Sequence, residues 1–391
     1  MEEKKFDIRS FIGMILLGAI MLWWMGNNQE EVTPTENTTE QVVDSSKTST
    51  NSPKTTISEP FIENDSLRAL SLKNKLGAFA FSALTGKEET KTLENDVLKL
   101  VIDTKGGQIV EALIKNYKTY DSLPLYMIKD KNASFNINFG TTDNRILNTK
   151  DLLFIPTLTK NGDSQVLSMK LKVSESQFLE YRYEMKEGDY RVGFAVRSQG
   201  LGSVINTSNP INLDWTLDGF RHEKSMYTEN TMYSWYYFKA DDEVDYLNAG
   251  KSDVINDVNW VSYKQHFFSS ALLTDTPFNN ATLTSTDLVK NEEIDTVFTK
   301  RYELKAPLAL QNGELNYNME WFYGPSNYNL LKTYEGTDLV ETADLGWGIF
   351  GFLNRTVFYP VFNMLKGFMG NFGLIIILMT IVVRILMSPV V

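Results

Sequence analysis

Between residues 89 and 324 apolar and polar positions alternate one for one, the period of a strand with one buried and one wet face. In LSMKLKV, Leu167, Met169, Leu171 and Val173 point one way while Ser168, Lys170 and Lys172 point the other. LEYRYEM sets Leu179, Tyr181, Tyr183 and Met185 against Glu180, Arg182 and Glu184, and LNYNMEW aligns Leu315, Tyr317, Met319 and Trp321. VLKLVID at 97–103 and RVGFAVR at 191–197 alternate likewise, with turns such as KGG at 105–107 and KEGD at 186–189. Many half-polar strands joined by tight turns predict antiparallel pairing and one large all-β sandwich over 89–324.

The flanks follow other periods. Leu67, Leu70 and Leu76 predict a helix within 65–88, stopped by the run Gly86 to Thr90. After Gly324-Pro325, the stretch 325–346 reads as short connecting helices with Leu330, Leu331 and Leu339 as apolar contacts. Over 347–370, Phe350, Leu353, Val357, Val361, Leu365 and Phe368 recur at steps of three and four. Asn354, Arg355, Asn363 and Lys366 are too many for a membrane span but few enough for an amphipathic helix lying in the interface. A buried helix of the outer domain is the competing reading, and Pro360 predicts a kink. GNFG at 370–373 then breaks the helix before the apolar run FGLIIILMTIVVRILM, read as a second transmembrane helix over 371–391.

A first membrane segment is expected at 1–26: FIGMILLGAIMLWWM at 11–25 follows Lys4, Lys5 and Arg9 and ends on the interfacial pair Trp23 and Trp24. A cleaved signal peptide fits that length, but no A-x-A site follows, which favours an uncleaved anchor. Three cations precede the segment and none follows before Lys47, which puts the N-terminus in the cytoplasm and residues of about 27–370 outside. Residues 27–64 are Thr, Ser, Asn and Glu with hardly an aromatic, the composition of a disordered tether.

Composition excludes more than it selects. The formal net charge is -11 and Lys and Arg form no block, which argues against nucleic-acid binding. Cysteine is absent, removing disulfides, thiol catalysis and thiolate metal sites. His222 and His266 stand in no metal-ligand spacing, DDEVD at 241–245 lacks the pattern of a calcium loop, and there is no G-x-S-x-G, Walker loop or strand-linked GxGxxG. No enzyme activity, cofactor or metal is expected.

The one unusual constellation lies in the second apolar run. From Phe372 to Arg384 a helix rises roughly 18 Å, past the midplane of a bilayer core about 30 Å thick. An arginine there costs at least about 2.5 kcal/mol unless it snorkels or faces water, protein or ligand. Thr380 lies one turn earlier on the same face, so Thr380 and Arg384 are the candidate substrate-binding pair.

Several strings resemble the YidC/Oxa family of membrane-protein insertases, in its Gram-negative form with a large periplasmic domain. They are TLENDVLKLVIDTKGGQIVEALIKNY at 92–117, WVSYKQHFFSSALL at 260–273, WFYGPSNYNLLK at 321–332, DLGWGIF at 344–350 and GNFGLIIILMTIVVRILMSP at 370–389. The resemblance implies an inner-membrane protein: an N-terminal transmembrane helix, an all-β periplasmic supersandwich, an interfacial helix and the start of an α-helical transmembrane core whose remaining helices lie beyond Val391. It also implies a hydrophilic groove kept wet and positive by the residue matching Arg384, with Thr380 in the region that substrate contacts. Implied partners are nascent membrane proteins, the Sec translocon, the lipid bilayer and, through parts beyond this segment, the ribosome. Supersandwich domains also resemble that of galactose mutarotase, which leaves a membrane-tethered carbohydrate-binding or mutarotase-like protein as the alternative; that chemistry needs a histidine and an acid converging in one cleft.

Overall fold

The computed structural model describes residues 65–343, 345–346 and 348–387, all within one compact unit spanning 62–391. The anchor expected at 1–26 and the tether at 27–64 lie outside the described residues. Among those described, 19 strands form three sheets in which every pairing is antiparallel. They run from Thr90 to Pro325, within a residue of the span read from alternation.

A nine-stranded sheet has the order Glu243–Leu247, Ser234–Ala240, Val258–Gln265, Phe268–Phe278, Asn316–Pro325, Arg191–Gln199, Phe178–Lys186, Ser164–Lys172 and Ile155–Asn161. A six-stranded sheet has the order Lys251–Ile255, Ala281–Asp287, Phe298–Leu308, Ile211–Phe220, Ala133–Gly140 and Ile146–Asn148. Thr90–Glu94, Leu98–Asp103, Ile109–Lys118 and Pro124–Ile128 make a four-stranded sheet. Strand parity sorts the side chains as the sequence predicts: Leu167, Met169, Leu171, Tyr181, Tyr183 and Met185 are all buried. DDEVD opens on a turn, with Asp241 and Asp242 at φ 51° and 63°, the left-handed geometry that a tight hairpin requires, and continues into the strand Glu243–Leu247.

Aromatic rings fill the space between the two larger sheets. Phe135 of the six-stranded sheet meets Tyr181, Phe194 and Trp321 of the nine-stranded one at centroid distances of 5.7, 5.4 and 5.6 Å, all near edge-on. Trp215 stacks on Tyr263 across the gap at 4.0 Å, and Tyr263 stacks on Tyr302 at 5.0 Å. Buried tyrosine hydroxyls need acceptors, and three of them find a carbonyl on the facing sheet: Tyr263 donates to Trp215, Tyr302 to Lys264 and Tyr236 to Glu303, each at 3.2 Å. Burial raises the pKa of all three phenols above the usual value.

The N-terminal helix Asp65–Leu76 forms as expected, but Leu67 and Leu70 are exposed. It is held by Leu76, packed against the core, by Arg145, which donates to the Asn74 carbonyl at 3.0 Å, and by Phe79 in the turn that follows, which packs against Phe139 at 5.3 Å. At the other end the segment 326–343 straps the outer face of the nine-stranded sheet. Asn327 caps the helix Tyr328–Lys332 by accepting from Leu330 N–H at 3.1 Å. Leu331, Tyr334, Leu339 and Ala343 then pack with Trp260, Ala271, Leu273 and Phe322 in a second core. Trp260 donates to the Thr337 carbonyl and Lys264 to that of Thr342, both at 2.6 Å, while Lys239 reaches Asp338 at 2.8 Å.

Truncating Phe194 to alanine should lower unfolding free energy by about 3–5 kcal/mol. Tyr263→Phe, which keeps the ring and drops one crossing hydrogen bond, should cost about 0.5–1.5 kcal/mol. Urea denaturation of the two variants checks both values and their order.

Candidate functional site

The chain leaves the strap through a helix in three parts: Gly348–Leu353, a wider π turn Asn354–Phe358 and Tyr359–Phe368. The π turn stands just before Pro360, which sits in the first turn of the last part. Proline lacks the N–H that would bond the carbonyl of Thr356 and its ring crowds that carbonyl, so a widened turn lets the helix continue. Asn354 Nδ2 donates to the Leu345 carbonyl at 2.7 Å, and the Tyr328 ring meets Tyr359 edge-on at 5.2 Å. These contacts fasten the helix to the strap, while Phe350, Phe352, Met364 and Phe368 stay exposed.

Met369 is extended and ends this helix, and Asn371 starts the next by accepting from Leu374 N–H at 3.3 Å. GNFG is thus a stop followed by an N-cap. The new helix, Phe372–Met387, stacks Phe372 on Phe362 at 6.5 Å. Thr380 and Arg384 are both exposed on it, one turn apart, and Thr380 Oγ1 donates to the Ile376 carbonyl at 2.8 Å. At about 100° per residue, Arg384 points directly away from Ile375, the buried residue of this helix, and shares its open arc with the exposed Ile376, Ile377 and Ile381. Among the described residues Arg384 has no ion-pair partner. Among them, too, no helix is long and apolar enough to cross a membrane; this one has 16 residues, about 24 Å of rise.

Ionisable side chains are also buried inside the sandwich. His222 Nε2 bonds the Tyr126 carbonyl at 3.0 Å, and burial pushes the imidazole down to about 4. Glu229, fully buried in the π turn Thr228–Tyr233, accepts from the backbone N–H of His222 and of Glu223. Burial nonetheless pushes its carboxyl up to about 7. Lys300 Nζ donates to the carbonyls of Asn230 at 2.6 Å and Ser234 at 2.5 Å and is pushed down to about 8, again by burial.

This arrangement ties loops together rather than presenting reactive groups. Glu229 has no solvent-facing surface, and His266 is stacked between Tyr233 at 4.3 Å and Phe267 at 3.9 Å. Asp121 and Asp130 line one cleft with His222, but the ring of His222 is bonded to the Tyr126 carbonyl and Asp121 to the Thr119 hydroxyl, and among the described residues no hydrogen bond joins either acid to the imidazole that sugar chemistry would need. Motif reading overlooked Lys300, although its parity with Tyr302 and Leu304 in FTKRYELKA marks it as inward-facing. Glu229 carries no such signal, because its partners are the backbone of a turn seven residues away.

A family model described as the YidC periplasmic domain matches residues 90–360. A protein named membrane protein insertase YidC from Parabacteroides distasonis is 34% identical over 351 residues, covering 86% of this chain and 54% of that protein. The chain spans about half the length of the curated relatives it matches. Among solved structures, an active YidC insertase with its first transmembrane domain resolved shares 12% identity over 83% of this chain and 61% of that one, with a TM-score of 0.35. A putative aldose 1-epimerase from Escherichia coli K12 shares 13% over 61% of this chain and 99% of that one, with a TM-score of 0.36. At such scores neither likeness fixes fold or chemistry.

His222 and Glu229 give opposite pH dependences. His222 titrates near 6.5 unfolded and about 4 folded, so it adds stability that is complete above 6.5 and lost as pH falls toward 4. Glu229 moves from 4.5 to about 7, so its contribution is present below 4.5 and lost as pH rises toward 7. Relative to the parent protein, Glu229→Gln should make the melting temperature climb more steeply from pH 4.5 to 6.5. His222→Gln should make it fall across the same window, as followed by near-UV circular dichroism.

Proposed function

This chain belongs to the YidC family, and on that premise we propose that it works within a membrane protein insertase and chaperone of the bacterial inner membrane, assisting insertion, folding and assembly of nascent membrane proteins alone or with the Sec translocon. The observation that carries the reading is the family match across 90–360, followed at once by an apolar helix holding Arg384. The sandwich stands on the periplasmic side, the helix Gly348–Phe368 lies in the membrane interface, and Phe372–Met387 begins a transmembrane core. Exposure of Phe350, Phe352, Met364 and Phe368 on the one helix, and of Ile376, Ile377 and Ile381 on the other, supports those placements, since such surface is stable only against lipid or other apolar helices.

Arg384 then lines a hydrophilic groove completed by further helices. In a cavity of low effective dielectric its permanent charge attracts a carboxylate far more strongly than in bulk water. An acidic or polar tail of a substrate enters partway, guided by Arg384 and by the acceptor face of the Thr380 hydroxyl. The step needs no covalent chemistry, because transfer of the apolar segments of the substrate from water to lipid is downhill.

In the full-length protein, Arg384→Ala should reduce insertion and crosslinking of acidic-tailed substrates several-fold while Arg384→Lys retains part of both. Unchanged insertion of every substrate by Arg384→Ala, measured by protease protection in proteoliposomes, would remove the role given to the arginine.

A further inference from the structure

Five loops converge on one end of the sandwich and expose apolar side chains there. Their proximity is fixed by backbone hydrogen bonds: Tyr120 N–H to the His222 carbonyl at 2.9 Å, Arg221 N–H to Val297 at 2.8 Å, His266 N–H to Tyr233 at 3.1 Å and Ser326 N–H to Phe267 at 2.7 Å. Ring contacts of Phe268 with Tyr117 at 5.1 Å and His222 at 6.0 Å close the set. Tyr120, Leu123, Tyr233, Phe267, Ile294 and Val297 project from these loops with exposures between 40% and 75%. On a soluble domain such residues are ordinarily scattered; gathered on one end they mark a contact surface.

The same end carries the chain into the helix Gly348–Phe368. Along the strand Val258–Gln265, Trp260 is tied to Thr337 and Lys264 to Thr342, so the strap advances toward the turn His266–Phe267 as it nears that helix. From the other direction, Ser326 bonds Phe267, and two residues later Tyr328 touches Tyr359 of the helix. We infer that this loop end is a second lipid-contacting surface, seated in the headgroup region of the same membrane face as the helix. The inference rests on the interfacial reading of that helix. Its chemistry fits the site: tyrosines with one wet and one apolar edge, a phenylalanine at the tip of a hairpin and aliphatic residues beside them are the mixture that settles at a bilayer interface.

These 391 residues contain no cysteine, so a cysteine introduced among them is the one thiol of this chain and allows a direct test. Phe267→Cys, Val297→Cys, Met364→Cys and Ile146→Cys are each labelled with an environment-sensitive fluorophore in the full chain. Each is then reconstituted in phosphatidylethanolamine–phosphatidylglycerol vesicles with nitroxide-bearing lipid. Ile146 is an exposed control paired with Gly140 at the far end of the strand Ala133–Gly140. Lipid quenching at 267 and 297 several-fold above that at 146 is the expected result. Quenching at 364 but not at 267 or 297 overturns the loop-end contact and leaves the interfacial helix standing. No quenching at 364 removes the helix reading itself. Labels at 267 and 297 that resist both lipid and aqueous iodide quenchers indicate a protein occupant and likewise overturn the inference.

Discussion

The aromatic layer between the nine-stranded and six-stranded sheets is the constraint on which the rest depends. Packing rings could tolerate sliding, but a tyrosine hydroxyl that must reach one carbonyl on the opposite sheet cannot. Tyr236, Tyr263 and Tyr302 make three such crossings, in both directions, within neighbouring strands. Slipping any of these strands by one residue would send its rings to the outer face and leave buried hydroxyls or carbonyls unpaired. Sheet register and inter-sheet register are therefore one specification, and it determines which loops meet at each end.

The strap converts that rigidity into a fixed departure point for the helices. Its apolar residues fill a core on the outer face of the nine-stranded sheet, and Trp260 and Lys264 bond its backbone at two positions along a single strand. A strap held by burial alone could shift along the strand. Held at two carbonyls, it advances toward the hairpin tip at His266–Phe267, whose Phe267 carbonyl accepts from Ser326 two residues before Tyr328, the residue that meets Tyr359 of the helix. The orientation of the amphipathic helix thus follows from the interior of the sandwich rather than from the helix itself.

Much of this was legible in the sequence because period-two alternation is a local signal. LSMKLKV and LEYRYEM declare their buried face without reference to any partner, and the strands appear where they were read. Arg384 was legible for the opposite reason, as a single charge in an otherwise apolar run. What stayed hidden depends on distant contacts. Leu67 and Leu70 have helical spacing but no surface to meet, whereas Phe79, outside that pattern, finds Phe139. The strap donors Trp260 and Lys264 sit among strand residues and look like core and surface, and the burial of Glu229 depends on a backbone turn. Pro360 is visible in the sequence, but the widening of the preceding residues into a π turn is not.

The helix Phe372–Met387 makes incompatible demands on any uniform surroundings. Ile376, Ile377 and Ile381 favour hydrocarbon, and Arg384, within the same open arc and opposite the buried Ile375, favours water or an anion. In lipid alone the arginine is unpaired; in water alone the isoleucines are exposed. Thr380 does not resolve this, since its hydroxyl proton is already given to the Ile376 carbonyl and only its acceptor side remains. A boundary that is apolar on one flank and wet on the other meets both demands, and a groove open to lipid is such a boundary. On the function proposed above, the wall of a groove accommodates the pairing of one charge with an apolar helix, whereas in a plain membrane anchor the charge would be a cost without a return.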